Sequence, residues 1–371
     1  MSHLFTPFNI GAMALSNRII IAPMCQYSAV EGSATDWHMI HLGHLALSGA
    51  GMLTIEATAV SADGRITNGD LGIYSEENAA ALARVLAAIR TYSPIKVAMQ
   101  LAHAGRKASC RLPWDGGAQI APGAPGGWGT VAPSPLPFAP ADAAPATLDR
   151  HGMDRVREHF AVAARRAALI GIDGIEIHAA HGYLLHEFLS PMSNRRTDEY
   201  GGSLVNRLRF ALEIYDAVRQ AFPVERPVWV RLSATDWVPG GWDIDGSLEL
   251  VRALRQRGCA AVHVSSGGLS PLQQIPVAPG YQVPFAKRIK EAADGMPTIA
   301  VGLITTPAQA EAIIAGGEAD AVALARGMLY DPRWPWHAAA ELGATVVAPK
   351  QYLRSQPAQF KNLFETRDAG P

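Results

Sequence analysis

Eight short runs of apolar, largely β-branched residues punctuate the chain: 19–23 (IIIAP), 52–57 (MLTIEA), 96–102 (KVAMQLA), 174–179 (GIEIHA), 227–234 (PVWVRLSA), 261–267 (AVHVSSG), 298–302 (TIAVG) and 321–326 (AVALAR). Most are apolar at consecutive positions. That is the pattern of parallel strands covered on both faces, since a strand covered on one face alternates. Longer stretches between them place apolar residues three and four apart: 79–89, 156–170, 208–218, 248–254 and 308–314. These read as helices packed by one face. Two carry start signals. Ser203 follows Gly201-Gly202 as an N-cap, and Thr306 precedes Pro307, a proline at the first helical position.

Eight strand–helix alternations predict an α/β protein, either a closed (β/α)₈ barrel or a doubly wound open sheet. Near-regular spacing in the second half favours the barrel. No Gly-x-Gly-x-x-Gly follows a strand, so the open sheet lacks its usual dinucleotide fingerprint. On the barrel reading, residues 1–371 form a single domain. One segment breaks the rhythm. Residues 110–148 are rich in Pro, Gly and Ala and carry Trp114 and Trp128. They follow the third strand, which would lay a long, lid-like loop over the barrel's mouth.

Composition narrows the class. Hydrophobic residues make up 49% and charged residues 18%, as in a compact soluble protein. A net charge of −1 supplies no global field for nucleic acid or an anionic membrane. No apolar run is long enough to span a bilayer, and residues 1–7 do not read as a signal peptide. Cys25, Cys110 and Cys259 are odd in number and far apart, which fits neither a disulfide framework nor a cysteine-ligated cluster. The expected setting is a reducing cytoplasm.

Candidate chemistry gathers where strands end. Polar residues inside buried strands are costly unless paired or used. Glu56, Gln100, Glu176, His178 and Arg231 all lie near strand C-termini, where barrel enzymes place their sites. They could be an internal salt-bridge layer, with Glu176 against Arg231. Gln100 and Arg231 also suit a polar, electron-accepting ring: an amide both donates and accepts, and a fixed cation stabilises added negative charge.

His178-Ala-Ala-His181-Gly-Tyr183 follows the fourth strand. Two imidazoles three residues apart could converge on one oxygen atom and polarise a carbonyl. Tyr183 could supply a proton. A packed histidine pair, or a metal site with His186, are the alternatives; no carboxylate or cysteine completes the metal set. His38, His41 and His44 recur every third residue on the first helix and read as a helix face with one engaged member. Cys25, in Pro23-Met24-Cys25-Gln26-Tyr27, could react, sense redox state or pack. Gly302, Ala325-Arg326-Gly327 and Ser265-Ser266-Gly267-Gly268 follow the last three strands, where loops often bind phosphate.

These residues resemble a known family. Asn17-Arg18 with 22–25 (APMC), 100–106 (QLAHAGR), 177–184 (IHAAHGYL), 188–191 (FLSP), 194–203 (NRRTDEYGGS) and Asn206-Arg207 are similar to Old Yellow Enzyme relatives, over about residues 4–354. Cys25 followed by Tyr27 is similar to a bacterial subgroup. The resemblance implies an FMN-dependent NAD(P)H:ene-reductase, with non-covalent FMN and NADPH or NADH as reductant. It would reduce the C=C bond of small α,β-unsaturated carbonyl compounds.

It also implies residue roles. Pro23, Met24 and Cys25 would line the flavin, with Ala57 touching it through its backbone. Gln100 would bond the pyrimidine portion, and Arg231 would face the negative charge of the reduced ring. Ser266, Gly267, Gly302, Ala325 and Arg326 would hold the phosphate. His178 and His181 would bind the substrate oxygen, Tyr183 would give the proton, and Tyr27 would shape the pocket. Arg354 would reach into a neighbouring subunit of a homodimer or homotetramer, or else lie on the surface. The polar tail, 355–371, is either disordered or an added contact. The competing readings are a dienoyl-CoA reductase-like flavin barrel, a metal-dependent barrel lyase or hydrolase built on the histidines, and a flavin-binding module without turnover.

Overall fold

The computed structural model describes residues 2–365. Eight parallel strands close into a barrel: β1 (Ile19–Ile21), β2 (Met52–Ala59), β3 (Lys96–Ala102), β4 (Gly174–Ala179), β5 (Val228–Ser233), β6 (Val262–Ser265), β7 (Thr298–Val301) and β8 (Ala321–Leu324). Each strand pairs with its neighbours in chain order, and β8 closes on β1 through Val322 beside Ile19. Apart from Lys96, every residue of these strands is buried. That is why the runs are apolar at consecutive positions: one face looks into the barrel and the other into the helix layer.

The longer helices are α1 (Asp36–Ala46), α2 (Glu76–Tyr92), α3 (Arg150–Leu169), α4 (Leu204–Ala221), α5 (Ile244–Gln256), α6 (Val283–Ala293), α7 (Pro307–Ala315) and α8 (Trp334–Glu341). The expected start signals hold. The Ser203 hydroxyl accepts from Asn206 N–H, and Thr306 accepts from Gln309 N–H ahead of Pro307. Several strands are shorter than their apolar runs. At 227–234, 261–267 and 321–326 the pairing stops early, and the last residues are loop that faces the mouth.

An N-terminal hairpin, Phe8–Ile10 with Met13–Leu15, is invisible in the period because each arm is three residues long. It turns at Gly11, beside Pro227 and Ala260, and so covers the N-terminal end of the barrel. The opposite end is left to the loops that carry chemistry. Residues 110–148 are tied down rather than free. Cys110 bridges to Thr67, Val131–Ala132 pairs with Ala146–Thr147, and Arg106 donates to the carbonyls of Leu136 and Pro137.

The tail is held as well as far as residue 365. Phe364–Glu365 pairs with Val346–Val347, and Phe364 packs on Trp336 at 4.7 Å between ring centres. That part is an added contact rather than a disordered end; residues 366–371 lie outside the described residues.

Candidate active site

The barrel interior carries a polar layer, but its pairing differs from the one expected. Glu176 does not bridge Arg231. Its Oε1 accepts from Gln100 Nε2 at 2.7 Å. Its Oε2 takes Trp229 Nε1 and His263 Nδ1, both at 2.8 Å. His178 and His263 stand level with Arg231 on the flanking strands. Burial alone would push Glu176 up, but His263, Arg231 and Trp229 outweigh it and hold the carboxyl well below its ordinary range. Arg231 is 7% exposed and has no carboxylate within salt-bridge distance among the described residues. Its Nε has no hydrogen-bond partner. A buried guanidinium with an idle N–H is costly unless an electron-rich group completes it.

Glu56 sits where the β2–β3 register slips, between Ile55 and Ala57. The bulge turns its carboxylate away from the ladder. One oxygen accepts from Gln26 N–H at 3.0 Å, and the other lies 3.4 Å from His38 Nε2. His38 Nδ1 in turn accepts from Thr35 N–H at 3.0 Å. Two of the α1 histidines are therefore engaged rather than one: His44 Nδ1 lies 3.0 Å from Ile40 O, and His38, through Glu56, orients the Pro23–Tyr27 loop. His41 stacks on Trp37, and burial pushes its imidazole down to about 4.

Cys25 ends up half-buried in that loop. Enclosure, Asp70 and Glu56 push its thiol well above the ordinary range, so it is a neutral thiol at physiological pH. Tyr27 holds a left-handed backbone (φ 53°) and meets Trp114 of the long loop edge-on.

His178 and His181 come together, but they meet each other instead of converging on a vacant point. Ala180 N–H donates to His178 Nδ1, which puts the His178 proton on Nε2. His178 Nε2 lies 3.3 Å from His181 Nδ1, and His181 Nε2 lies 2.7 Å from Ser265 Oγ. Burial, with the Arg231 charge second, pushes both imidazoles well down, so both are neutral donors. The Tyr183 ring stands edge-on to His178 with centres 4.9 Å apart. Burial pushes its phenol well up, which keeps the proton on Oη. Tyr183, Ala57, Ala102 and Asp70 line one small cavity. Asp70 is a residue the sequence reading passed over; burial raises its carboxyl to about 7, even with Thr67 Oγ and Ile66 N–H bonded to it.

The three loops expected to hold phosphate share the same end of the barrel. Gly302 has φ 117°, and a side chain there would collide with Gln282, whose amide is fixed between Val301 O and Ser266 Oγ. Gly267 has φ 71°, and Ala325 is the N-cap of the short helix Arg326–Tyr330, with the Arg326 side chain exposed. The arrangement offers backbone N–H groups, two hydroxyls and a cation where an anion would be well received. Together with the idle Arg231 N–H, the set fits a phosphate-bearing, electron-accepting ring laid across the mouth. Gln282 was missed because nothing local distinguishes it from a helix-start glutamine. Arg354 is exposed in the turn Lys350–Ser355 and meets none of these groups.

Among the described residues, no three of the His, Cys, Asp and Glu side chains are grouped to hold a metal ion. His186, the third member of the supposed metal set, points instead at Asp236, 2.9 Å away. No helix among the described residues is long and apolar enough to cross a membrane.

Comparison with known proteins gives a consistent result. The profile described as the NADH:flavin oxidoreductase / NADH oxidase family matches residues 3–344. A relative named NADPH dehydrogenase, from Geobacillus sp. (strain WCH70), is 43% identical over 95% of this chain and 98% of its own. Morphinone reductase superposes with a TM-score of 0.76 at 28% identity, covering 98% of this chain and 96% of its own. A 2-naphthoyl-CoA reductase, solved with 2-naphthoyl-CoA, superposes with a TM-score of 0.81 at 25% identity over 92% of this chain. This chain spans about half of that protein's length, 52%.

Proposed function

The chain belongs to the NADH:flavin oxidoreductase / NADH oxidase family, and from that premise we propose that its barrel mouth is the active site of an NAD(P)H-dependent, FMN-containing ene-reductase. The observation that carries this reading is the neutral His178–His181–Tyr183 set facing the same end as a buried guanidinium with an idle N–H. Bound FMN would supply the redox chemistry, hydride transfer from NAD(P)H and then to the β-carbon of an activated alkene.

The chain's residues then do six things. Pro23, Met24 and Cys25, with Ala57 and Gln100, bound the ring's place on the β1–β3 side. Arg231 stabilises negative charge beside it. Ser266, Gly267, Gly302, Ala325 and Arg326 anchor the phosphate. His178 and His181 bind the substrate carbonyl oxygen. To do so, the oxygen displaces His181 Nδ1 as acceptor for His178 Nε2–H, and His181 releases Ser265. Neutral imidazoles suit this task, because they stabilise developing negative charge without a buried cation to desolvate. The Tyr183 hydroxyl gives its proton to the α-carbon, and Tyr27 limits the acceptor's shape. The metal-dependent alternative has no support in this geometry.

Arg354 and the exposed Trp37, Ile40, Tyr352 and Leu353 support a homodimer or homotetramer in which Arg354 completes a neighbour's site. Arg333 links α1 to this turn by donating to His44 O and lying over the Tyr352 ring. Light scattering and R354A kinetics together test it.

The function itself is tested by NADPH consumption with 2-cyclohexenone and identification of the product. Cyclohexanone formed in step with NADPH loss is expected. NADPH loss with no reduced ketone would refute the ene-reductase reading.

A further inference from the structure

The β3 loop ends in a lysine that the roles above leave unused. Lys107 closes the short turn Gly105–Lys107. Its Nζ donates to the carbonyl of His181 at 2.8 Å and to that of Gly268 at 2.9 Å. The same ammonium stands 5.1 Å from the centre of the Tyr183 ring and 4.7 Å from that of Phe138, in the long loop. One charge thus touches the loop carrying the histidine pair and the tyrosine, the loop after β6, and the lid.

His181 needs such a hold. Its φ of 60° lies in the left-handed region that side chains disfavour. Ser233 Oγ receives its N–H at 3.0 Å, and Ser233 donates to Gly267 O at 2.8 Å. Lys107 takes its carbonyl. Gly268 packs so closely on the His181 backbone that a side chain there would collide with it. The imidazole is left to turn between Ser265 and a ligand, while the backbone beneath it is fixed from both sides.

We propose that Lys107 is a positioning residue. Its ammonium sets where His181 and Tyr183 stand relative to a bound carbonyl, and through Phe138 it ties that setting to the lid. The inference rests on the reading of His178, His181 and Tyr183 given above.

The groups facing Lys107 are Glu187, Cys110, Arg106, His181 and Tyr183. Desolvation pushes its ammonium down to about 8, although Glu187 and Cys110 favour the charge. Glu187 is fully buried, and burial pushes its carboxyl up to about 8 against Arg106 and Lys107. As pH passes through 8, a charged lysine becomes a neutral amine. The charge-assisted bonds to the two carbonyls weaken and the attraction to both ring faces is lost.

The test uses FMN-loaded wild type, K107M, K107R, E187Q and H181A. The readouts are KM and kcat for 2-cyclohexenone from pH 6 to 9, and phenol binding at pH 6.5 followed in the flavin spectrum. Wild-type KM is expected to rise above pH 8. K107M should bind phenol about tenfold more weakly, the scale of one lost hydrogen bond to a charge, with FMN content unchanged and no further rise in KM. K107R keeps its charge, so its KM should stay flat to pH 9, while E187Q should keep the rise. Should K107M fail to fold, the pH response of K107R decides. Unchanged phenol affinity in K107M, or a rise that persists in K107R and vanishes in E187Q, overturns the proposal. Loss of phenol binding in H181A but not in K107M sinks the lysine's role alone; unchanged binding in H181A sinks the underlying reading of the site.

Discussion

Glu176→Gln separates the stability of the barrel's polar layer from its chemistry. In the wild type one carboxylate takes three donors, from Gln100, Trp229 and His263, and supplies the nearby negative charge for Arg231. The amide keeps the shape but has only one acceptor oxygen. At least one donor then faces an NH₂, and Arg231 loses the buried negative charge that, without bridging it, favours its ionised form. Loss of a buried charge's partner costs roughly 3 kcal/mol. For a chain this long, that is a fall in Tm of about 4 °C. The pH dependence has a definite sign. The folded carboxyl is depressed below its unfolded value, so its contribution is full above the ordinary glutamate range and is lost as pH falls towards the folded value. E176Q should therefore show a shallower loss of stability in acid than wild type. The extra positive character beside the ring should also raise the flavin reduction potential. Thermal and urea unfolding of the holoenzyme, with a potentiometric titration, read all three. A variant as stable as wild type to within about 0.5 kcal/mol, with an unchanged potential, would refute the account of the layer.

Three further outcomes follow from the site. Replacing His178 and His181 together with alanine should weaken phenol and enone binding far more than FMN retention; unchanged phenol affinity would remove them from the oxygen-binding role. Gly302→Ala should lower FMN affinity, because φ 117° and the pinned Gln282 leave no room for a methyl group; wild-type affinity measured by equilibrium dialysis would show that this turn does not hold the phosphate. Cys25→Ala should shift the flavin potential and substrate preference while turnover continues, and wild-type Cys25 should alkylate more slowly at neutral pH than free cysteine, since enclosure raises its thiol. Complete loss of FMN, or rapid alkylation, would contradict these roles.

The barrel was legible because a strand buried on both faces leaves a strong local mark: a run of consecutive apolar residues. Polar intruders in those runs marked Glu56, Gln100, Glu176, His178 and Arg231, and all five lie within or at the end of barrel strands. What the pattern could not give was partnership. Glu176 and Arg231 looked like a pair because each lacked a counter-charge in its own strand. The carboxylate instead takes His263 and Trp229 from β6 and β5, a choice set by barrel closure. His263 itself sits in an apolar run and was passed over. Lys107 and Gln282 were hidden for a similar reason: their partners lie more than 70 and about 20 residues away in the chain, respectively. The tail was left open between disorder and an added contact because a two-residue strand has no period to read.

The central claim is tested most directly in one anaerobic cuvette. Purified protein is reduced with NADPH and then given 2-cyclohexenone while its absorbance spectrum is followed. The account predicts a flavin spectrum that bleaches with NADPH and returns in full on addition of the enone. A colourless protein that cannot be reconstituted with FMN, or a reduced flavin that the enone leaves bleached, would contradict it.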